Sequence, residues 1–575
     1  DNGNVMVSQT LGNLNVGTVS AGGNAALGTS RVILSADGSI LAAAAGSLIQ
    51  GDRVELTSQN GAIGSIAVPL AVNVGEPGDV AQRSLYGLKA SAAGDIGIGI
   101  GTWAHNAGGN LLADTIVSQG GDVKLVAPGR IIDNNPVESI NKETWAQLLA
   151  YWDSLGLRAG TSANAEKQAQ AVKSFEDGRT QDYALYWQIR QRQTDPATYD
   201  PAFTYKVTAG EKAALVASGM TDADVAAFEA NRTAQYRQLN ANVGAYTAAY
   251  SAGFHYAATD AEKKTLLKGS SWTERELGIS VTPGLLKDIT NTNPVDKSAN
   301  VQGRRVILVA GKGIGETKVG VTVPYDVDPS CYSGPGCLTD EMKVALAAAE
   351  RADIADTGSA IQIFRRRPLN FAAASELDVT VLAAPLGSSD DGKAFLASKE
   401  DARLGTIVVP GEARIKVRGS IVNVDDASPA VQAGGLILEA ANGGIGYVPD
   451  AGSGDVERPL RIQLTGGGAL TARAADKVEI NETAGDLLVD TVFSRKDASL
   501  VASGSILDAY ADADLNVLAA NLSLQSLTGS VGTLSNPLDV GVGSIDGRIQ
   551  ARTSIGSPIA LNGPLGHSFN LGTIA

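Results

Sequence analysis

The sequence predicts a mainly β chain, a right-handed parallel β-helix (β-solenoid) with an inserted α-helical domain. Three observations carry this prediction. A strand–corner–strand unit recurs far apart in the chain, residues 139–300 have helical periodicity, and the composition combines 67 glycines with only 5% aromatic residues. A unit too short to bury its apolar face alone must stack on copies of itself. A narrow coil interior suits Val, Ile, Leu and Ala better than large rings.

The recurring unit is VELTSQNGAIGSIAVPLAV from Val54, which aligns without a gap to LSLQSLTGSVGTLSNPLDV from Leu522. A looser third copy begins at Leu436. Alternating apolar residues indicate a half-buried strand, and the paired glycines supply a corner where the backbone needs positive φ or a close approach. The unit predicts parallel strands stacked along one axis, with Leu56, Ile63 and Leu70 facing the interior.

Composition narrows the function classes. The 575 residues include 46 basic and 61 acidic side chains, a formal charge of −15, which argues against a nucleic-acid partner. No apolar run approaches the roughly 20 residues that a membrane-spanning helix needs. Because both ends of the sequence have the texture of the repeats, we expect the chain to be a fragment of a longer protein, so that a missing signal peptide is uninformative.

Residues 1–138 read as solenoid, and the block 139–300 reads as an inserted helical domain. Apolar residues at i, i+3, i+4 and i+7 in TWAQLLAYWDSL indicate a helix. Thr208 with Glu211, Thr221 with Asp224 and Thr259 with Glu262 have the spacing of N-terminal capping boxes. Insertion of a domain at an exposed corner disturbs a scaffold little.

The helical block contains four of the five tryptophans: Trp145, Trp152, Trp187 and Trp272. Two interpretations remain open. The rings build the core of the block and its seam, which the helical spacing favours. Alternatively, some of them face solvent and stack on sugar rings, as ligand contacts.

Solenoid is predicted again over residues 301–327 and 359–575. A second excursion at 328–358 separates these two ranges, and a short helical loop near 387–405 interrupts the later one. This excursion holds Cys331 and Cys337, separated by five residues that include Gly-Pro-Gly. We expect a small disulfide loop ahead of a helix. Zinc would need two more ligands, and the histidines lie far away in the sequence.

Other candidate sites carry weaker signals. Arg365, Arg366 and Arg367 form a basic cluster, interpreted either as a solvated strand end or as a contact for an anion or acidic sugar. His105 reads as a loop or outer-face residue rather than a ligand. Asp508, Asp512 and Asp514 lack the glycine-punctuated loop of a calcium site. GKGIGE from Gly311 lacks the Lys-Ser/Thr ending of a phosphate loop. The sequence thus predicts no catalytic, cofactor-binding or metal-ligating residues.

Several segments resemble one family. They are TDADVAAFEANRTAQYRQLN, SSWTERELGISVTPGLLKDIT, GRRVILVAGKGIGE, FLASKEDARLG and PGEARIKVRGSIVNV. The chain resembles the giant filamentous adhesins of Gram-negative bacteria, the leukotoxin-like and filamentous-haemagglutinin-like proteins of two-partner secretion. The resemblance implies a secreted cell-surface protein, exported through an outer-membrane transporter partner. It implies no catalytic residues.

We therefore expect a segment of a secreted filamentous adhesin, a rigid stalk and binding surface for cell attachment, aggregation or biofilm matrix cohesion. The expected partners are an extracellular glycan or a neighbouring cell surface, with lateral contacts between filaments. Two alternatives stay open. One is a polysaccharide-active β-helix enzyme, a lyase or hydrolase, which would need clustered carboxylates or calcium on neighbouring turns. The other is the stalk of a toxin-delivery exoprotein.

Overall fold

A computed structural model describes residues 3–22, 30–78, 80–134, 162–196, 198–217, 220–243, 250–259, 262, 299–324, 342, 353–356, 360–384, 390–425, 428–448, 456–511, 515–542, 547–554, 556–563 and 570–574. The chain divides into two compact units. The first, here called the ladder unit, comprises Asp1–Leu148 and Glu276–Ala575. The second, the helical unit, comprises Leu149–Arg275.

The protein is mainly β. Up to the helical unit the strands are β1 (Val5–Gln9), β2 (Leu14–Val16), β3 (Thr18–Ser20), β4 (Arg31–Ala36), β5 (Ile40–Ala42), β6 (Leu48–Gly51), β7 (Arg53–Ser58), β8 (Leu70–Val74), β9 (Gly87–Ala92), β10 (Ile96–Ile100), β11 (Leu111–Ser118), β12 (Val123–Ala127) and β13 (Arg130–Asp133), with a 3-10 helix at Val80–Leu85. The helices are α1 (Ser162–Arg190), α2 (Ala209–Ala217) and α3 (Asp222–Val243).

After the helical unit the strands are β14 (Val301–Ala310), β15 (Gly313–Ile314), β16 (Glu316–Pro324), β17 (Ile354–Asp356), β18 (Ala360–Arg367), β19 (Leu369–Val381), β20 (Ala394–Ser398), β21 (Ala402–Val417), β22 (Ile421–Asn423), β23 (Val431–Ala440), β24 (Tyr447–Val448), β25 (Val456–Glu457), β26 (Leu460–Leu464), β27 (Ala469–Ala474), β28 (Val478–Glu482), β29 (Leu487–Ser494), β30 (Ala498–Ala502), β31 (Ile506–Asp508), β32 (Val517–Ala519), β33 (Leu522–Ser526), β34 (Leu538–Val542), β35 (Arg548–Arg552), β36 (Leu561–Asn562) and β37 (Asn570–Ile574).

Most strands of the ladder unit pair in parallel with a strand two or three places further along the chain. One series runs β1–β4–β7–β9–β11–β14, and near the other end a second runs β28–β30–β33–β35–β37. The apolar positions stay in register from strand to strand, so that Val32 pairs with Val54 and Val54 with Leu88. Leu56, Ile63 and Leu70 are at most 1% exposed. The predicted parallel pairing and these three interior positions are confirmed.

The two gapless copies have the same local structure. Gly64 and Gly532 close their corners with φ of +62° and +65°. A Cβ atom on Gly64 would lie 2.2 Å from the carbonyl oxygen of Gly97. Ser58 donates its hydroxyl to the Gly38 carbonyl (2.7 Å), and Ser526 makes the equivalent bond to Gly504 (2.6 Å). The sequence repeat therefore encodes a corner as well as two strands.

The bulge of β11 recurs in β29, where Asp114 and Asp490 are the extra residues. Beside each bulge lies a buried asparagine. The Asn300 amide donates to the carbonyl oxygens of Ala113 and Asp114 (both 3.2 Å) and to Asp133 Oδ1 (2.7 Å). We call this arrangement the asparagine clasp.

The second clasp is made by Asn516. Its amide donates to the carbonyl oxygens of Val489 (3.1 Å) and Asp490 (3.3 Å) and to Asp508 Oδ1 (3.0 Å). Its own Oδ1 accepts from the Asp539 amide (2.9 Å). The asparagine lies 167 positions from its aspartate in the first clasp and 8 in the second. The same corner thus closes over a long segment and over a short one.

Two parts of the ladder unit differ from the sequence prediction. Strands β16 and β18, which were predicted as solenoid strands, form a separate antiparallel sheet with β17, a strand that lies within the predicted excursion at 328–358. The helical loop expected near 387–405 is wrong over the described residues 390–405, because β20 is buried along its whole length and pairs in parallel with β21. Its small and apolar side chains fill an interior place.

The helical unit has an aromatic core. Tyr186 on α1 stacks on Tyr236 on α3 with ring centroids 5.4 Å apart, and Tyr183 stacks on Phe254 at 3.9 Å. All three predicted capping boxes are present, each with hydrogen bonds in both directions; in the first of them Thr208 N donates to Glu211 Oε2 at 2.7 Å. Within the described residues no helix is long and apolar enough to cross a membrane.

Candidate functional site

A cleft of about 260 Å³ opens on the ladder unit beside the bulge of β29. Its lining comes from four neighbouring strands and the chain after β31. Glu412 on β21 and Asp490 at the bulge provide carboxylates, Thr471 on β27 provides a hydroxyl, and Tyr510 provides an aromatic ring that is 48% exposed. The parallel register brings these residues together from distant parts of the sequence.

Glycines form much of the cleft lining. Gly466 and Gly467, with φ of +64° and +75°, make the tight turn that leads into β27. Gly468 is required by packing, because a Cβ atom there would lie 1.7 Å from the Gly434 carbonyl oxygen. Gly435 is different: its Cβ would meet nothing closer than the Ala469 carbonyl oxygen at 3.9 Å. A side chain at Gly435 would therefore make only an ordinary van der Waals contact, and sterics do not demand a glycine there.

Both carboxylates of the cleft are held in place by neighbours. Arg414 Nε donates to Glu412 Oε1 at 2.5 Å, and Thr471 Oγ1 donates to Asp490 Oδ2 at 2.8 Å. Arg414 also donates two bonds to the Asp353 carboxylate, at 2.6 and 2.8 Å. Burial acts to lower the pKa of Arg414, but Asp353 and Glu412 outweigh it and raise the pKa above its ordinary value. Such fixed carboxylates are suited to accept hydrogen bonds from a polar or cationic ligand.

The predicted anion-contact arginines lie in a buried charge network. Arg366 bonds Asp353 (2.8 Å) and Asp390 (3.2 Å). Arg367, whose side chain is 2% exposed, bonds Glu316 at 3.1 Å. Carboxylates of the protein itself are therefore the anions that Arg366 and Arg367 contact. Because both side chains are largely buried in this network, neither is a solvated strand end. Of Arg365 the structure describes only the backbone, which pairs β18 with β16.

Trp187 is 5% exposed and belongs to the core of the helical unit, where the Arg190 guanidinium lies 4.7 Å from its ring centroid. This placement agrees with the core interpretation for Trp187. Trp145, Trp152 and Trp272 lie outside the described residues. Cys331 and Cys337 also lie outside them, so the disulfide stays a prediction.

His105 is bonded to a buried carboxylate. Its Nδ1 lies 2.8 Å from Asp52 Oδ1, while Asp52 Oδ2 accepts from Ser30 Oγ at 2.6 Å. The serine hydroxyl therefore bonds the carboxylate and not the imidazole, which is not the arrangement of an activated nucleophile. Asp508 belongs to the second asparagine clasp, and Asp512 and Asp514 lie outside the described residues.

Sequence reasoning missed the cleft. The similarity between LLADTIVS from Leu111 and LLVDTVFS from Leu487 could have identified the two bulges and therefore Asp490. Nothing in the sequence around Glu412 or Gly435 marks them as neighbours of that aspartate. Only the strand register shows that they meet.

Comparison of the chain with family models, curated proteins and solved structures finds no match. Function is therefore argued from the geometry of the chain itself.

Proposed function

We propose that the chain is a segment of a secreted, cell-surface filamentous adhesin. In this proposal the ladder unit is a right-handed parallel β-helix that serves as a rigid stalk, and the helical unit is an inserted side domain. The observation that supports it most is the parallel pairing that links successive strands from β1 through to β37. Such a scaffold grows in one dimension by adding turns.

Stiffness follows from the pairing. Parallel strands stack about 4.8 Å apart, and each turn shares hydrogen bonds with the turns before and after it. The interior is a continuous cluster of buried aliphatic side chains, in which Ile63, Ile96 and Val123 are each 0% exposed. Bending the stack would separate hydrogen bonds and apolar contacts together. A stalk of this kind holds a binding surface away from the cell.

The proposed partners are an extracellular glycan or a neighbouring cell surface, with lateral contacts between filaments and an outer-membrane transporter during export. Binding takes place without turnover of the partner. Individual contacts need only be weak, because many copies on one surface raise the effective concentration of binding sites. The proposed function is attachment, aggregation or matrix cohesion.

Beads coated with the purified chain at several surface densities test this proposal. We expect them to retain bacterial cells and extracellular polysaccharide, with retention falling more steeply than the density, and to release no soluble sugar. Uncoated beads and excess soluble chain are the controls. Retention equal to that of uncoated beads would contradict adhesion, while release of shortened or unsaturated sugars would establish the enzyme class instead.

A further inference from the structure

The strands around the cleft can be compared with an equivalent set of strands around the bulge of β11. Aligning the two bulges places Asp490 on Asp114. The strand register then aligns the preceding strands of the two sets, so that β27 corresponds to β9, β23 to β7 and β21 to β4. In this alignment Gly435 occupies the position of Arg53. We call β4, β7, β9 and β11 the first copy and β21, β23, β27 and β29 the second copy. The cleft is therefore the place that an arginine side chain fills in the first copy.

The first copy shows how that arginine is held. Arg53 Nη2 donates to Asp114 Oδ2 at 2.5 Å, and Arg53 Nε donates to Glu55 Oε1 at 2.7 Å. Its Nη1 donates to the carbonyl oxygens of Ser84 (3.1 Å) and Tyr86 (3.2 Å). Every nitrogen of the guanidinium is thus engaged, and the side chain is 17% exposed. Although burial acts to lower it, the bonds to Glu55 and Asp114 raise the pKa of Arg53.

The second copy lacks the arginine and keeps one of the side chains that bond it: Asp490 stands at the position of Asp114, whereas Ile437 stands at the position of Glu55. The excursion that ends at Tyr86 and covers Arg53 is replaced by the tight turn of Gly466 and Gly467, which leaves the cleft open. The charge also changes, because Glu412 stands at the position of Arg31. Two carboxylates, Glu412 and Asp490, now line a space whose counterpart is filled by a cation.

We propose that the cleft binds a guanidinium group, presented by an arginine residue of a peptide or by free arginine. Asp490 occupies the position from which Asp114 accepts a bond from Arg53, and one carboxylate can accept two N–H donors of the planar cation. Glu412 contributes a second negative charge to the wall of the cleft. Tyr510 lines the same cleft, and an aromatic ring is a surface on which a guanidinium can stack. This assignment stands independently of the adhesin proposal, since it depends only on the two copies within the chain.

The test uses the whole chain and a matched pair of ligands, N-acetyl-arginine amide and its neutral isostere N-acetyl-citrulline amide, with binding measured by calorimetry. We expect the arginine ligand to bind at least tenfold more tightly than the citrulline ligand. Glu412→Gln and Asp490→Asn should each weaken arginine binding by about tenfold or more, as expected for hydrogen bonds to charged groups.

Gly435→Arg is the decisive variant. It places an internal guanidinium in the cleft, so we expect arginine binding to be lost while the melting temperature stays equal or rises. Gly435→Ala adds only a Cβ atom without a steric clash and should bind as the natural chain does. An arginine-bearing peptide that binds more tightly than free arginine would identify a peptide as the source.

Three results would overturn the proposal. They are equal binding of the arginine and citrulline ligands, undiminished binding by Gly435→Arg, and absence of binding by the natural chain at millimolar arginine. Tighter binding of glucosamine or lysine amide than of the arginine ligand would overturn the guanidinium assignment in favour of an ammonium group.

Discussion

The asparagine clasps predict a specific loss of stability. In Asn516→Ala the Asp539 amide loses its acceptor, and Asp508 loses one of its donors. The Asn516 side chain is buried, with 2% of the residue exposed. A buried polar group left without a partner costs about 1–3 kcal/mol. Asp508 Oδ1 keeps the Tyr510 amide as a donor, so the main cost falls on the Asp539 amide. We therefore expect a loss of about 1–3 kcal/mol, and a similar loss for Asn300→Ala.

Asn521→Ala is the matched control. Asn521 also links distant segments of the ladder unit, since its amide donates to Asp497 (2.8 Å) and its Oδ1 accepts from the Arg548 amide (3.1 Å). These bonds are exposed, so water replaces them and we expect a loss below about 1 kcal/mol. Urea unfolding followed by circular dichroism gives the free energies. Hydrogen exchange at the Asp539 amide localises the effect, which matters because long repeat arrays can unfold in stages.

The reasoning would be refuted if Asn516→Ala and Asn521→Ala lost the same free energy of unfolding. Unchanged hydrogen exchange at Asp539 in Asn516→Ala would refute it equally, because the amide would then have found another acceptor without cost.

Three further predictions follow from the same structure. Replacing residues 134–299, which include the helical unit, by the sequence of 509–515 should leave the β circular dichroism signal and a cooperative melt; collapse of both would show that the rest of the ladder unit depends on the replaced segment. Gly64→Ala should lower the free energy of unfolding by about 1–3 kcal/mol from backbone strain alone, whereas Gly78→Ala, with open space around its Cβ, should change it little. Hydrogen bonds from a guanidinium and from the helix N-cap lower the pKa of Glu211 from 4.5 to about 2; its stabilisation is therefore complete above pH 4.5 and lost toward pH 2, which helix ellipticity would follow and a flat profile would contradict.

The repeated unit contained enough information to predict much of the ladder unit. Period-two alternation around Val54 and Leu56 identifies an interior face, and two identical corners require that equivalent strands lie in equivalent places. The capping boxes were also readable, because a threonine and a carboxylate three residues apart satisfy each other's backbone amides locally. These features depend on short-range chemistry, which a single sequence records.

The antiparallel sheet and the cleft could not be predicted from the sequence, because both depend on contacts between residues that are far apart in the chain. Alternation in β16 and β18 predicts strands without saying which partner they take or in which direction. The pair of Glu316 with Arg83 joins residues 233 positions apart, at 2.6 Å for both bonds. The looser repeat at Leu436 aligns Gly435 with Arg53, but only the strand register shows that Arg53 bonds an aspartate whose counterpart, Asp490, lines the same cleft as Gly435.

The two clasps also have a consequence for how such a chain changes over evolutionary time. A segment of any length can leave at the aspartate and return at the asparagine, since both ends are fixed by bonds within the scaffold. Lengthening the separation from 8 to 167 positions adds about 3 kcal/mol of closure entropy for a flexible loop, from 1.5RT ln(167/8), and less for a segment that folds. The corner is therefore a site at which one inserted segment can be exchanged for another. One lineage can carry a helical domain between these two residues and another a short loop, with the paired strands on either side unchanged.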